Sequence, residues 1–186
     1  MGRNVAASVS ALVLAFAMAG CGPEKPAAPK PAGQFITTAT RPAPVPVPSG
    51  KPVLTITGAV TNQNDDGAVA FDLRTLDRMA TVRSRIHEPF VRKDLTFTGV
   101  RMIDLMARAG ITATATKLRL HALDDYQVEL AMADIADPGV LLATKVDDTR
   151  IPVSGGGPIR LIFPAGSAIG KNKDLWIWSI DSITVG

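Results

Sequence analysis

Cysteine is almost missing from this 186-residue chain: it occurs once, at position 21. Everything after Cys21 is therefore without a disulfide, a thiolate nucleophile or a thiolate metal ligand. Histidine occurs twice, as His87 and His121, on separate segments. With no cysteine to join them, no metal site is expected. Neither sign of charge dominates, since 20 Lys and Arg stand against 17 Asp and Glu. The charges are spread along the chain, so the electrostatic footprint of a nucleic-acid binder is absent. The longest apolar run, Val5 to Met18, would span about 21 Å as a helix, short of the ~30 Å of a hydrocarbon core, so a stable transmembrane helix is not expected. Nucleotide fingerprints are missing too, for no GxGxxG follows a strand and no glycine loop ends in Gly-Lys-Ser/Thr. Asn62-x-Asn64-x-Asp66-Gly67 has the cadence of a calcium loop, but Leu73 stands where the closing glutamate belongs. The pairs Asp124-Asp125 and Asp147-Asp148 fall at expected turns, and neighbours on an extended chain point to opposite faces. No carboxylate dyad and no catalytic residue is assigned.

What is there begins at the amino end. A short basic start, Arg3, precedes the uncharged run, and small residues lead into the cysteine. This is the layout of an export signal. Met18-Ala19-Gly20-Cys21 resembles the lipobox of bacterial lipoproteins. That resemblance implies a signal peptide over residues 1–20, cleavage before Cys21, and lipidation of Cys21 by diacylglycerol and a fatty acid such as palmitate. Two or three acyl chains, at about 0.8 kcal/mol per buried CH₂, hold a protein on a membrane. Gly22 rather than aspartate after the cysteine implies the outer membrane over the inner, facing the periplasm. From Gly22 to Pro52 the chain is proline-rich, as in "PEKPAAPKPAG" and "RPAPVPVPSGKP", and has little to bury. Residues 21–52 are therefore expected to be an extended stalk behind the anchor.

Residues 53–186 are long enough for one domain with a core. Their periodicity is mostly two: Val53–Thr57, Lys117–Leu123, Tyr126–Leu130, Ile159–Phe163 and Trp176–Val185 read as strands. Two short helices are expected. Asp72 caps one with Leu73, Leu76 and Ala80 on its apolar face, and Gly110 ends another with Met102, Ile103, Met106 and Ala109 on its own. The class is α+β, a mainly β mixed sheet with a few short helices. The segment Arg83–Asp94 reads as a loop carrying Arg83, Arg85, Arg92 and Lys93 beside His87, partly offset by Glu88 and Asp94. The glycine turn Gly155, Gly156 and Gly157, with Arg160, Lys171 and Lys173 downstream, offers backbone donors and charge to an anion.

Taken in order, "FTGVRMIDLM", "ALDDYQVEL", "LLATKVDDTRIPVSGGGPIRLIFP" and "LWIWSIDSITV" resemble the molybdopterin-binding domain of sulfite-oxidase-type oxidoreductases, most of all its small stand-alone exported forms. The strongest pieces are Phe97-x-Gly99-Val100 with Asp104-Leu105, and Gly157-Pro158-x-Arg160-Leu161-x-x-Pro164. The resemblance implies a pterin phosphate and ring held by basic and backbone groups, here Arg85, His87, Gly155, Gly156, Gly157, Arg160 and Lys173. Catalytic relatives supply a cysteine thiolate to molybdenum from the loop upstream of the Phe-x-Gly-Val box, and Arg83–Asp94 has none. The expected role is a non-catalytic module that binds a small anionic ligand or a protein partner. The alternatives are a molybdopterin-dependent oxidoreductase that holds its cofactor without a cysteine, for example through His87, and a structural envelope protein.

Overall fold

The computed structural model describes Gln34–Phe35 and residues 44–186. Cys21, the signal peptide and most of the stalk lie outside the described residues.

Two sheets carry the architecture. In the first, β1 (Gln34–Phe35), β4 (Thr81–Glu88), β5 (Lys93–Arg101), β8 (Leu141–Val146) and β10 (Arg160–Ile162) lie side by side, and β9 (Thr149–Arg150) pairs with β8. In the second the order is β3 (Val69–Phe71), β2 (Leu54–Gly58), β11 (Ile180–Val185), β6 (Lys117–Ala122) and β7 (Gln127–Ala131). All pairings are antiparallel except β2 with β11, so the second sheet is mixed. Both sheets feed one hydrophobic core, to which β2 gives Leu54 and Ile56, β5 gives Phe97 and Val100, and β11 gives Ile183. This is the α+β, mainly β arrangement expected from the sequence.

The two α-helices follow from their ends. In α1 (Leu73–Arg78) the Asp72 carboxylate accepts from the Thr75 amide at 2.7 Å, as expected of an N-cap, and also from the amide and hydroxyl of Ser49 at 3.0 and 3.1 Å. These bonds hold the Asp72 carboxyl at about 2, well below its ordinary 3.8. In α2 (Met102–Ala109) the buried stripe is Met102, Leu105, Met106 and Ala109, with Gly110 as the left-handed cap. Leu105 takes the place expected for Ile103, because the spacing i, i+3, i+4, i+7 selects it. No helix among the described residues is long and apolar enough to cross a membrane.

Three expectations from the sequence change. Arg83–Asp94 is not a loop: β4 and β5 form a hairpin in full register from Thr81↔Val100 to Glu88↔Lys93, leaving a turn at residues 89–92. The strand expected from Trp176 begins only at Ile180, after Ser179 takes a positive φ of 52°. Packing also begins before residue 53, because Val45 is buried in the core, Arg108 donates to the Pro44 carbonyl, and Asn64 donates to that of Pro46. At Gly99 a Cβ would fall 2.1 Å from the Leu142 carbonyl oxygen, at the bulge where β5 crosses β8. Only glycine fits that approach, which gives the Phe-x-Gly-Val box a packing cause.

Candidate functional site

Strand β4 sorts its side chains by parity. Val82, Ser84, Ile86 and Glu88 are buried, while Arg83, Arg85 and His87 lie on the outer face. On that outer face Asp94 meets both His87, at 2.9 Å, and Arg85, at 3.5 Å. On the inner face Glu88, 1% exposed, accepts from the Arg160 guanidinium at 3.0 Å. The other Glu88 oxygen accepts from the amides of Phe90 and Val91 at 2.9 and 2.6 Å. One carboxylate thus neutralises Arg160 and fixes the hairpin turn that carries Phe90. Arg160 also stacks on Trp178 at 4.6 Å and Phe97 at 5.5 Å from the ring centres. Burial pulls its pKa below the ordinary arginine value, and Glu88 opposes the shift. Its Nε is buried without a partner.

The glycine turn packs rather than donates outward. A 3₁₀ turn at Val153–Gly155 closes on itself: the amides of Gly155 and Gly157 donate to the Pro152 carbonyl at 2.9 and 2.8 Å, and that of Gly156 donates to Val153 at 3.0 Å. Gly156, at a φ of 83°, lies against Trp178, where a Cβ would sit 3.1 Å from that residue's Cβ. Its carbonyl accepts from the Ser179 amide at 2.8 Å, which holds the Trp178 segment against the turn.

Between the β4–β5 turn, the β6–β7 turn and the segment 173–179 lies a cleft of about 490 Å³. Its aromatic walls are Phe90, Tyr126, Trp176 and Trp178, and its charged groups are Asp124, Lys173 and Asp174. Phe90 meets Trp178 edge-on at 5.1 Å and Trp176 at 6.2 Å. Lys173 holds its ammonium 5.8 Å from the Phe90 ring centre. The Tyr126 hydroxyl donates to the Asp174 carbonyl at 2.7 Å, joining two sides of the cleft. Exposed apolar surface concentrates here: Phe90, Tyr126, Val153 and Trp178 line the cleft, and Val91 and Leu123 neighbour lining residues in the chain. The size of the cleft falls within the roughly 300–1,000 Å³ of small-molecule sites.

Of the residues singled out from sequence, Gly156 and Lys173 line the cleft, and Arg160 backs it through Trp178. Gly155 and Gly157 shape the turn behind it. Arg85 and His87 are not brought together with them, since they lie on the outer face of β4. Glu88, Phe90, Asp124, Tyr126, Asp174, Trp176 and Trp178 complete the site. Sequence reading left them as loop, turn or strand residues, and the one available signal was a cluster of aromatics at turns. His121 lies apart from the cleft wall, its Nδ1 2.8 Å from Asp181 and its Nε2 3.3 Å from Asp125, and its pKa is raised chiefly by the hydrogen bond to Asp181. Among the described residues no group of three His, Cys, Asp or Glu side chains could hold a metal ion.

No curated protein matches this sequence. Among solved structures the fold is similar to the sulfane dehydrogenase SoxCD from Paracoccus pantotrophus, with a TM-score of 0.55 and 16% identity. That likeness covers 71% of this chain and 37% of the other, so the chain corresponds to a little over a third of that protein. The model of the oxidoreductase molybdopterin binding domain matches residues 66–184, well over half of the sequence and every element from β3 nearly to the end of β11. The chain therefore belongs to the oxidoreductase molybdopterin binding domain family.

Proposed function

We propose that this chain is a lipid-anchored module of the cell envelope that keeps the molybdopterin-binding fold as a ligand-binding scaffold without molybdenum chemistry. The state of Arg160 carries the reading. It is the cation on the Gly-Pro-x-Arg box, and its guanidinium is already paired with the buried Glu88. The residues around the cleft do not fit a metal-bearing pterin phosphate. A molybdenum centre of this type calls for a soft thiolate, and the sole cysteine, Cys21, precedes the proline-rich segment. A phosphate calls for several convergent donors. The three glycine amides are spent inside their own turn, and Arg85 and His87 lie on the outer face of β4. Lys173 shares the cleft wall with Asp124 and Asp174, and the unpartnered Nε of Arg160 is buried.

On this reading Cys21 is the membrane handle, and the domain faces the periplasm from the outer membrane. Cys21→Ala should abolish labelling by an alkyne fatty acid; equal label on both chains would refute the anchor. The main test is cofactor content. The full chain, purified from a host that makes the cofactor, should carry molybdenum and pterin far below stoichiometry. Stoichiometric molybdenum, with dye-linked oxidation of sulfite or reduction of a sulfoxide, would replace this reading with an oxidoreductase that holds its cofactor without a cysteine.

A further inference from the structure

We infer that the aromatic cleft binds a carbohydrate, a pyranose ring with adjacent hydroxyls, rather than a phosphate-bearing or a cationic ligand. The inference rests on the proposed ligand-binding role and names the chemistry of that site. Three observations narrow the class.

The walls come first. Phe90, Tyr126 and Trp178 are each well exposed, at 43%, 43% and 38%, although they are large apolar rings. The Tyr126 ring and the faces of Phe90 and Trp178 that Lys173 and Arg160 leave open suit a flat ligand with polarised C–H groups, because an aromatic face carries partial negative charge. Phe90 is held there by design of its turn, through the two amides that Glu88 accepts.

The rim supplies the second observation. Asp124 and Asp174 accept hydrogen bonds only, and Lys173 donates only. Ser154 and Ser179 can do both. A ligand that satisfies this rim must present donors and acceptors side by side. Vicinal hydroxyls do so, since each is donor and acceptor at once.

Charge is the third. An anion entering the cleft meets two carboxylates against one ammonium, with Arg160 already neutralised by Glu88. A cation is attracted by Asp124 and Asp174 but meets Lys173 over Phe90 and finds one face of Trp178 covered by Arg160, so the aromatic walls offer it little. The protein's own cations hold the positions that an aromatic cage would offer to a ligand. An uncharged polyhydroxylated ring incurs neither repulsion.

The protein supplies its own probe. It has two tryptophans, Trp176 and Trp178, and both line the cleft. The full chain, held in a polyoxyethylene detergent that carries no sugar, is titrated with β-linked trisaccharides of glucose and of N-acetylglucosamine, with the corresponding monosaccharides, with inorganic pyrophosphate, and with tetramethylammonium. Tryptophan fluorescence is followed, and calorimetry confirms binding. At least one trisaccharide should give a saturable change. Asp124→Ala should weaken it roughly tenfold or more, as expected for loss of a hydrogen bond to a charged group. Phe90→Ala should weaken it too, and Phe90→Leu, which keeps apolar bulk against the indoles, separates loss of the ring from loss of packing. A trisaccharide that binds much more tightly than its monosaccharide identifies a glycan chain as the source, and equal binding identifies a free sugar. Silence of every sugar overturns the inference, as does saturable binding of pyrophosphate or tetramethylammonium alone. Cofactor content decides the non-catalytic reading separately, so the two can fail independently.

Discussion

Arg85 and Arg160 carry the same guanidinium, and each answers a carboxylate at the β4–β5 hairpin. Arg85 is 73% exposed and lies 3.5 Å from Asp94, while Arg160 is 10% exposed and lies 3.0 Å from Glu88. The first pair is solvated on both sides, so its attraction is screened and worth little. The second has given up water, and its worth lies in what happens when one partner is removed. Glu88 also organises a turn, whereas Asp94 meets the exposed side chains of Arg85 and His87. Charge of the same kind therefore serves as surface on the exposed face of β4 and as architecture in β10, where every residue is buried.

The largest break in this comparison is Glu88→Ala. It strands a buried guanidinium and two turn amides, and should cost about 3–5 kcal/mol in urea unfolding. Tryptophan emission should shift at the same time, because Phe90 contacts both indoles. A control sharpens the point. Replacing both members with apolar residues, Glu88→Leu with Arg160→Met, should recover the part of that loss that comes from the stranded guanidinium, but not the part that comes from the Phe90 and Val91 amides. A double variant as unstable as Glu88→Ala would show that the pair itself stabilises the fold.

Asp72 lies between the extremes, a buried carboxylate answered by amides and a hydroxyl rather than a cation. Asp72→Ala should cost about 0.5–2 kcal/mol, the usual worth of an N-cap. Its pKa of about 2 against 3.8 fixes the pH window. The contribution is complete above the unfolded value and is lost as pH falls from about 4 toward 2, so the variant should show a flatter acid limb in thermal melts. A chain shortened to begin at Lys51 should be less stable still, because it loses Ser49 and the buried Val45 as well.

A smaller effect is expected at His121, which is partly exposed between Asp181 and Asp125. Its raised pKa means that stabilisation is complete below the unfolded value of about 6.5 and fades as pH rises through the folded one. His121→Gln should remove that slope near neutral pH. The smallest effect belongs to Asp94→Asn, which should change stability by no more than about 0.5 kcal/mol and leave no salt dependence behind. A loss comparable with Glu88→Ala would erase the contrast between the two arginines.

The fold was legible wherever one pattern dominated. The β6–β7 pair alternates cleanly, and Asp72 and Gly110 announce helix ends through their own chemistry. The β4–β5 hairpin was hidden because two inward positions of β4, Ser84 and Glu88, are polar, which blurs period two and imitates a solvated loop. Strand β8 was hidden for the opposite reason, since Leu141, Leu142, Ala143 and Thr144 are all buried and leave nothing to alternate. At the site, Gly156, Lys173 and Arg160 could be singled out from sequence, but their use could not. Nothing local says that the glycine amides bond inward, or that Arg160 meets a glutamate 72 positions away. Aromatics at three separate turns converge only once the sheets exist, so a cleft built from Phe90, Tyr126 and Trp178 has no contiguous motif to find.

The place of β11 bears on how the second sheet closes. It is the last of the described strands in sequence and yet the middle one of its sheet, parallel to β2 on one side and antiparallel to β6 on the other. Without Ile180–Val185, β3–β2 and β6–β7 are two separate ribbons with an unfilled slot between them. Two-stranded pieces of that kind are marginal in water, and the pairing that joins them spans most of the sequence, which makes it slow to form. The second sheet therefore closes in a single late step, when Ile180–Val185 pairs with both ribbons at once. Cooperativity across that sheet rests on one six-residue strand.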